Sequence, residues 1–201
     1  MKKPVLIIIA GPNGSGKTSI TSKILQHEWV ESCVYINPDN IANDKFGDWN
    51  SKEAVLDAAR YSTQVREECI AKGEGLIFET VLSADDKIDF IIRAKQQGYF
   101  IRLFFVGTQS PTINASRIAQ RVMEGGHDVP ISKIISRYGK SISNCCIAAS
   151  IVDRAYIYDN SIDFADPQPL FRVVDGTIAK EYTQINEWAM PILDFLKESK
   201  L

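Results

Sequence analysis

Apolar residues in this chain gather into short, nearly unbroken runs, separated by longer stretches where they recur every three or four positions. VLIIIA at 5–10, CVYIN at 33–37, GLIFE at 75–79 and IRLFFV at 101–106 are runs of the first kind, with fainter ones near 155–159 and 170–174. The amphipathic stretches lie near 17–27, 51–72, 84–97, 111–124, 131–149 and 181–198. β-Branched and aromatic runs alternating with helical periods predict strands alternating with helices. Parallel strands need long crossovers, and strands buried on both sides lose the polar alternation of a half-exposed sheet. The pattern therefore predicts an α/β fold, a parallel sheet flanked by helices on both faces. No internal repeat or low-complexity segment interrupts it.

Length and composition narrow this picture. At 201 residues and 45% hydrophobic, the chain suits one domain over 1–201 with a full core. A net charge of -2 argues against a surface built to coat nucleic acid. The four cysteines, Cys33, Cys69, Cys145 and Cys146, lack CxxC spacing and read as thiols of a reducing compartment. Lys2 and Lys3 before an apolar run imitate a signal peptide, but the run is short and leads into glycines rather than a cleavage site. No stretch is long enough to span a bilayer. The expectation is a cytoplasmic protein without a membrane or nucleic-acid partner.

In α/β sheets, ligands collect at the carboxyl ends of the strands. The first strand ends in Gly11-Pro12-Asn13-Gly14-Ser15-Gly16-Lys17-Thr18, which matches G-x-x-x-x-G-K-[ST] between a strand and a helix. Glycines let backbone N–H groups turn inward around phosphate, and the following helix N-terminus adds partial positive charge. Gly11, Asn13, Gly14, Ser15, Gly16 and the flanking Ser19 are candidate nucleotide contacts. Lys17 would neutralise the outer phosphates of ATP, and the Thr18 hydroxyl would ligate Mg²⁺. A transporter-type ATPase would need an LSGGQ-like signature and a later Asp-Glu pair, and a GTPase an Asn-Lys-x-Asp reader; none is present. A P-loop kinase-like domain remains.

Two further strand ends carry acids. Asp39 follows Pro38 after the second strand; it could accept a hydroxyl proton, hold water on Mg²⁺, or serve as an Asx turn or helix cap. Glu79 closes the third strand beside Thr80, facing substrate hydroxyls or Mg²⁺, unless Thr80 to Ser83 only cap the next helix. After the fourth strand, Ser110-Pro111 opens a helix carrying Arg117 and Arg121 on one face. Gly125-Gly126 ends it, and a second helix carries Lys133, Arg137 and Lys140. This cationic pair, about 111–145, reads either as a helical lid over phosphate or as a solvated hairpin bridging to Glu124 and Asp128. His127 reads as a hinge residue satisfied by local hydrogen bonds or, second to that, as a phosphate ligand. Tyr158, Asn160 and Asp175 could border the adenine or serve as core and turn residues.

Taken in order, GPNGSGKT, INPDNIA, IFETVLS, SRIAQRVMEGGHDVP and RYGKSISN resemble the zeta-toxin family of P-loop kinases, from Ile7 to Asn144. The resemblance implies transfer of the ATP γ-phosphate to the sugar 3′-hydroxyl of UDP-N-acetylglucosamine, and a small helical antitoxin covering the nucleotide site. It implies phosphate and Mg²⁺ roles for Lys17 and Thr18, a catalytic base at Asp39, a sugar-binding acid at Glu79 and a lid arginine at Arg121. Longer members carry a second lid arginine where this chain has Gly-Gly-His-Asp, so Arg117 or Arg137 would replace it. Beside this reading stand a kinase for another metabolite or nucleoside, and a nucleotide-dependent binding module without catalysis.

Overall fold

A computed structural model of the chain describes residues 3–30, 32–47 and 50–199. Seven strands form one sheet in the order β2-β3-β1-β4-β5-β6-β7. The strands are β1 (Val5–Ala10), β2 (Val34–Ile36), β3 (Leu76–Thr80), β4 (Phe100–Gly107), β5 (Arg154–Asp159), β6 (Gln168–Val174) and β7 (Thr177–Glu181). The described helices are α1 (Lys17–Ile24), α2 (Pro38–Phe46), α3 (Lys52–Lys72), α4 (Asp86–Gln96), α5 (Pro111–Met123), α6 (Ile131–Ile151) and α7 (Met190–Glu198).

β1 is central, and the reason is visible in its side chains. Leu6, Ile8 and Ala10 point into the larger core, Ile7 and Ile9 into the smaller one, and all five are fully buried. The larger core is built with α3, α4, α6 and α7, while α1 supplies Ile20 and Ile24 to the smaller one. Helices thus lie on both faces, unequally. A third cluster, Ile118, Val129 and Ile134, holds α5 to α6.

β1 to β5 run parallel, so all five deliver their carboxyl ends to one edge. The sheet departs from the all-parallel expectation at β6 and β7, which are antiparallel. Asp175 and Gly176 sit at φ 47° and 68° between the paired Val174 and Thr177. Two consecutive positive φ values make a tight hairpin turn whose twist suits antiparallel strands. The helix expected over 181–198 is accordingly shorter: the chain finishes β7 at Glu181, crosses a single 3₁₀ turn at Glu187–Ala189, and only then enters α7.

A second departure follows β2. Pro38 does not simply break the strand; it occupies the first position of α2, where a missing N–H costs nothing. Asn37 caps this helix, its Oδ1 accepting from the backbone N–H of Asp39 at 2.9 Å and of Asn40 at 3.3 Å. Gly47, at φ 81°, ends it.

Candidate active site

The loop after β1 turns through Gly11, Gly14 and Gly16 at positive φ. Space as well as φ requires all three: a Cβ would lie 2.1 Å from Val106 O at Gly11, 2.5 Å from Asn114 O at Gly14 and 2.1 Å from Asn160 Nδ2 at Gly16. Neighbouring elements brace the loop. Asn114, fully buried on α5, donates from Nδ2 to Asn13 O at 2.7 Å, and Thr108 bonds its Oδ1. Asn160, just beyond β5, donates to Ser15 O at 2.9 Å. The loop is therefore clamped between the lid root and the β5 end before any ligand arrives, which lowers the ordering cost of binding.

Lys17 heads α1 and curls its Nζ back to Gly11 O at 2.8 Å and Pro12 O at 3.1 Å. Burial pulls its ammonium below the usual range, while Glu79 and Asp39 hold it up. Such a cation is ready to exchange loop carbonyls for phosphate oxygens. Thr18 lies beside it, exposed, on the first turn of α1. The glycine cradle, the lysine and a hydroxyl at this position fit a nucleoside triphosphate with Mg²⁺. Ser15 does not offer its hydroxyl: its side chain is fully buried and Oγ has no partner.

Glu79 lies in register with Ile9 of β1 and is 8% exposed. Its Oε1 accepts from Thr21 Oγ1 at 2.8 Å and from Tyr35 OH at 2.6 Å. Burial and that bond to Glu79 raise the Tyr35 pKa, so the phenol keeps its proton and remains a donor. Asn37 Nδ2 in turn donates to Tyr35 OH at 3.2 Å. One hydrogen-bonded chain thus runs from α1 through β3 and β2 to the cap of α2. Asp39, in the first turn of α2, is exposed, and its carboxylate has no described hydrogen bond or ion pair. The capping role belongs to Asn37, which leaves the Asp39 carboxylate free for chemistry.

Two adjoining cavities open here. One, about 420 Å³, is lined by Gly14, Lys17, Thr18 and Arg121 from the nucleotide side. The other, about 260 Å³, lies beyond them and is lined by Thr80, Arg137 and the segment entering α4. Lys17, Asp39 and Glu79 line both. Thr80 does not cap α4; its Oγ1 accepts from Leu82 N at 3.0 Å, shaping the floor of the second cavity.

The lid arginines take separate places. Arg121 Nη2 donates to His127 O at 2.7 Å, which holds the α5–α6 turn against the first cavity. Arg137 reaches toward Asn13 Oδ1 at 3.5 Å and lines the second cavity. Arg117, which also lines the first cavity, donates from Nε to Asp163 Oδ1 at 2.7 Å and from Nη1 to Asn160 O at 2.8 Å. Together with Ser19, it borders a third cavity, about 290 Å³, with Ile162 and Phe164 of the loop after β5. Asp175 sits in the β6–β7 turn, and Tyr158 faces a groove beside α1 with Phe104 and Pro167. Tyr35 and Asn114 belong to no motif singled out above, because each acts through a partner brought close only by the fold.

The parallel sheet, the glycine loop opening α1 and the two-helix lid define a P-loop kinase-like protein. The family model described as Zeta toxin matches residues 1–163, and the chain belongs to that family. A protein of Haemophilus influenzae described only as uncharacterised is 30% identical over 132 residues, covering 66% of this chain and 91% of its own. Among solved structures, the PezAT toxin–antitoxin system of Streptococcus pneumoniae superposes at a TM-score of 0.62 with 18% identity, over 98% of this chain and 88% of that one. The AvrRxo1-ORF1:AvrRxo1-ORF2 complex, solved with ATP, gives a TM-score of 0.56 with 18% identity, over 96% of this chain and 64% of that one. At these identities the likeness is one of fold.

Proposed function

We propose that this chain is an ATP- and Mg²⁺-dependent kinase that transfers the γ-phosphate to a hydroxyl of a small molecule. One observation carries the reading: Lys17, Asp39 and Glu79 form the shared wall between a phosphate-type cavity and a second, acceptor-sized one. In this reading the glycine loop and Lys17 hold the phosphates, Asp39 takes the acceptor proton, and Glu79 orients the acceptor. Arg121 and Arg137 supply charge from the lid, and Arg117 locks the lid base beside the nucleoside cavity. Mg²⁺, held with ATP and Thr18, would neutralise charge on the transferring group. A pure binding module has no use for an unpaired carboxylate at the junction of two cavities.

The family makes UDP-N-acetylglucosamine the first acceptor to test. The PezAT likeness also supports an antitoxin partner, which the family resemblance makes small, helical and seated over the nucleotide cavity. Incubation with γ-labelled ATP, Mg²⁺ and a pool of nucleotide sugars and hydroxylated metabolites tests the central claim. Label should appear in one small-molecule product. ATP binding without any labelled product would leave only the binding-module reading.

A further inference from the structure

Arg66 is a buried cation that the reading above does not use. It lies on α3, only 4% exposed, and lines the acceptor cavity. Its guanidinium carbon sits 5.1 Å from the Phe78 ring centroid and 5.5 Å from that of Phe90. One described hydrogen bond uses it, Nη2 to Thr63 Oγ1 at 3.0 Å; Nε is buried without a partner. No carboxylate among the described residues lies within ion-pair distance of it. Burial disfavours this charge, and Asp86 and Glu67 offset that only from beyond ion-pair distance; an arginine carries five donors, so those left over suit an anion.

Lys87, at the first turn of α4, lines the same cavity with 19% of its side chain exposed. Asp86 bonds it, leaving further N–H groups on the ammonium free. Counting side chains, the cavity presents four cations, Lys17, Arg66, Lys87 and Arg137, against two carboxylates, Asp39 and Glu79. Arg66 and Lys87 also border the outer groove between α3 and α4, so they stand at the end of the cavity away from the glycine loop.

We infer that Arg66 and Lys87 form an anion subsite for the acceptor, which is a small hydroxylated compound bearing a carboxylate or a phosphate. This rests on the kinase reading of the same cleft. The cavity of about 260 Å³ accommodates a sugar-sized molecule, with its anion toward the outer groove of about 630 Å³ that Arg66 and Lys87 also border. The anion seated at Arg66 then points a hydroxyl back toward Asp39. A uniformly neutral polyol would leave the Arg66 donors unpaired and would be rejected.

The test measures binding, so it does not depend on turnover. With the glycine loop saturated by a non-hydrolysable ATP analogue and Mg²⁺, the full chain is titrated calorimetrically with glucuronate, glucose 6-phosphate, glucose and UDP-N-acetylglucosamine. Glucuronate or glucose 6-phosphate should bind at least tenfold more tightly than glucose, and which of them does so identifies the anion. Arg66→Met, which keeps the stem against Phe78 and Phe90, should abolish that preference, as should Lys87→Gln. Arg66→Lys should retain part of it, and affinity for the ATP analogue should not change in any variant. Equal binding of the charged and neutral sugars, or no binding of any, overturns the subsite. So does UDP-N-acetylglucosamine binding that is unaltered by Arg66→Met and Lys87→Gln. If Arg66→Met melts early, Lys87→Gln and Arg66→Lys decide the matter. Intact anion binding without label transfer would instead refute the kinase reading and leave the subsite standing.

Discussion

Asp39→Asn separates chemistry from folding because the structure divides these roles between neighbouring residues. Asn37 makes both cap bonds of α2, so the substitution leaves the cap intact. What α2 loses is a negative charge in its first turn, worth about 0.3–1 kcal/mol at an exposed position. A positioned general base contributes about 10² to 10⁴ in rate. At about 1.36 kcal/mol per tenfold, that is roughly 2.7–5.4 kcal/mol of barrier, several times the stability cost. The assay pairs label transfer from γ-labelled ATP at saturating acceptor with a thermal melt of the same preparation. Asp39→Asn should melt within a few degrees of the parent, bind ATP normally and lose most turnover. Asn37→Ala should show the reverse balance, costing about 1 kcal/mol of stability through the lost cap while keeping the base. Parental turnover in Asp39→Asn would refute the assignment, and so would a loss of activity fully accounted for by unfolding.

Three other outcomes follow from the geometry. Lys17→Met should abolish phosphotransfer yet slightly stabilise the nucleotide-free protein. Burial depresses the Lys17 pKa, so its charged form opposes folding below that pKa and stability rises as pH climbs through it; melts from pH 7 to 10 should show that slope in the parent only. Arg121→Ala and Arg137→Ala should lower kcat more than they raise the KM for ATP, losing part of the 10³ to 10⁵ associated with an arginine finger, whereas Arg117→Ala, bound to Asp163 and Asn160, should act mainly on KM. Asp153 accepts from Ile101 N at 2.7 Å and pairs with Lys95 at 2.8 Å; burial pushes its pKa up, but these partners outweigh it and hold the carboxyl below its usual value. Its stabilisation is therefore present above about pH 4 and lost as pH falls through the folded pKa, so Asp153→Asn should lower the melting temperature at pH 7 and converge with the parent in strong acid.

The parts of the fold that sequence pattern reached are those whose cause is local. β1 and the loop after it were legible because an apolar run, three glycines and Lys17-Thr18 act over one short segment. The hairpin between β6 and β7 was also written locally, in Asp175-Gly176, but a helical spacing over 181–198 outweighed that signal and hid the strand beside it. α2 was missed for the opposite reason: Pro38 reads as a strand breaker, and only the Asn37 cap shows that it starts a helix. In the cleft, Lys17, Asp39 and Glu79 could be singled out because each ends a strand or opens a helix at the ligand edge. Tyr35 and Asn114 could not, since their partners lie 44 and 101 residues away. Arg66 was hidden more thoroughly, as an arginine in a 21-residue amphipathic helix normally belongs to the solvated face.

Glu79 lines both cavities and is bonded to the elements on either side of them. A carboxylate buried at the end of β3 would be expensive without donors, and both of its described bonds converge on Oε1. One donor, Thr21, belongs to the helix that holds the phosphates; the other, Tyr35, leads through Asn37 to the helix that carries Asp39. The same carboxylate therefore ties α1 to the strand that leads into α2, and its Oε2 takes no part in either bond. Under the kinase proposal, that oxygen would meet an acceptor hydroxyl on the wall shared by the two cavities. Under that proposal, a carboxylate held by two donors on one oxygen would present the other to a substrate in a fixed orientation. The apolar strands β1 and β3 pay for that arrangement by keeping Glu79 out of bulk water, where the same hydrogen bonds would contribute far less.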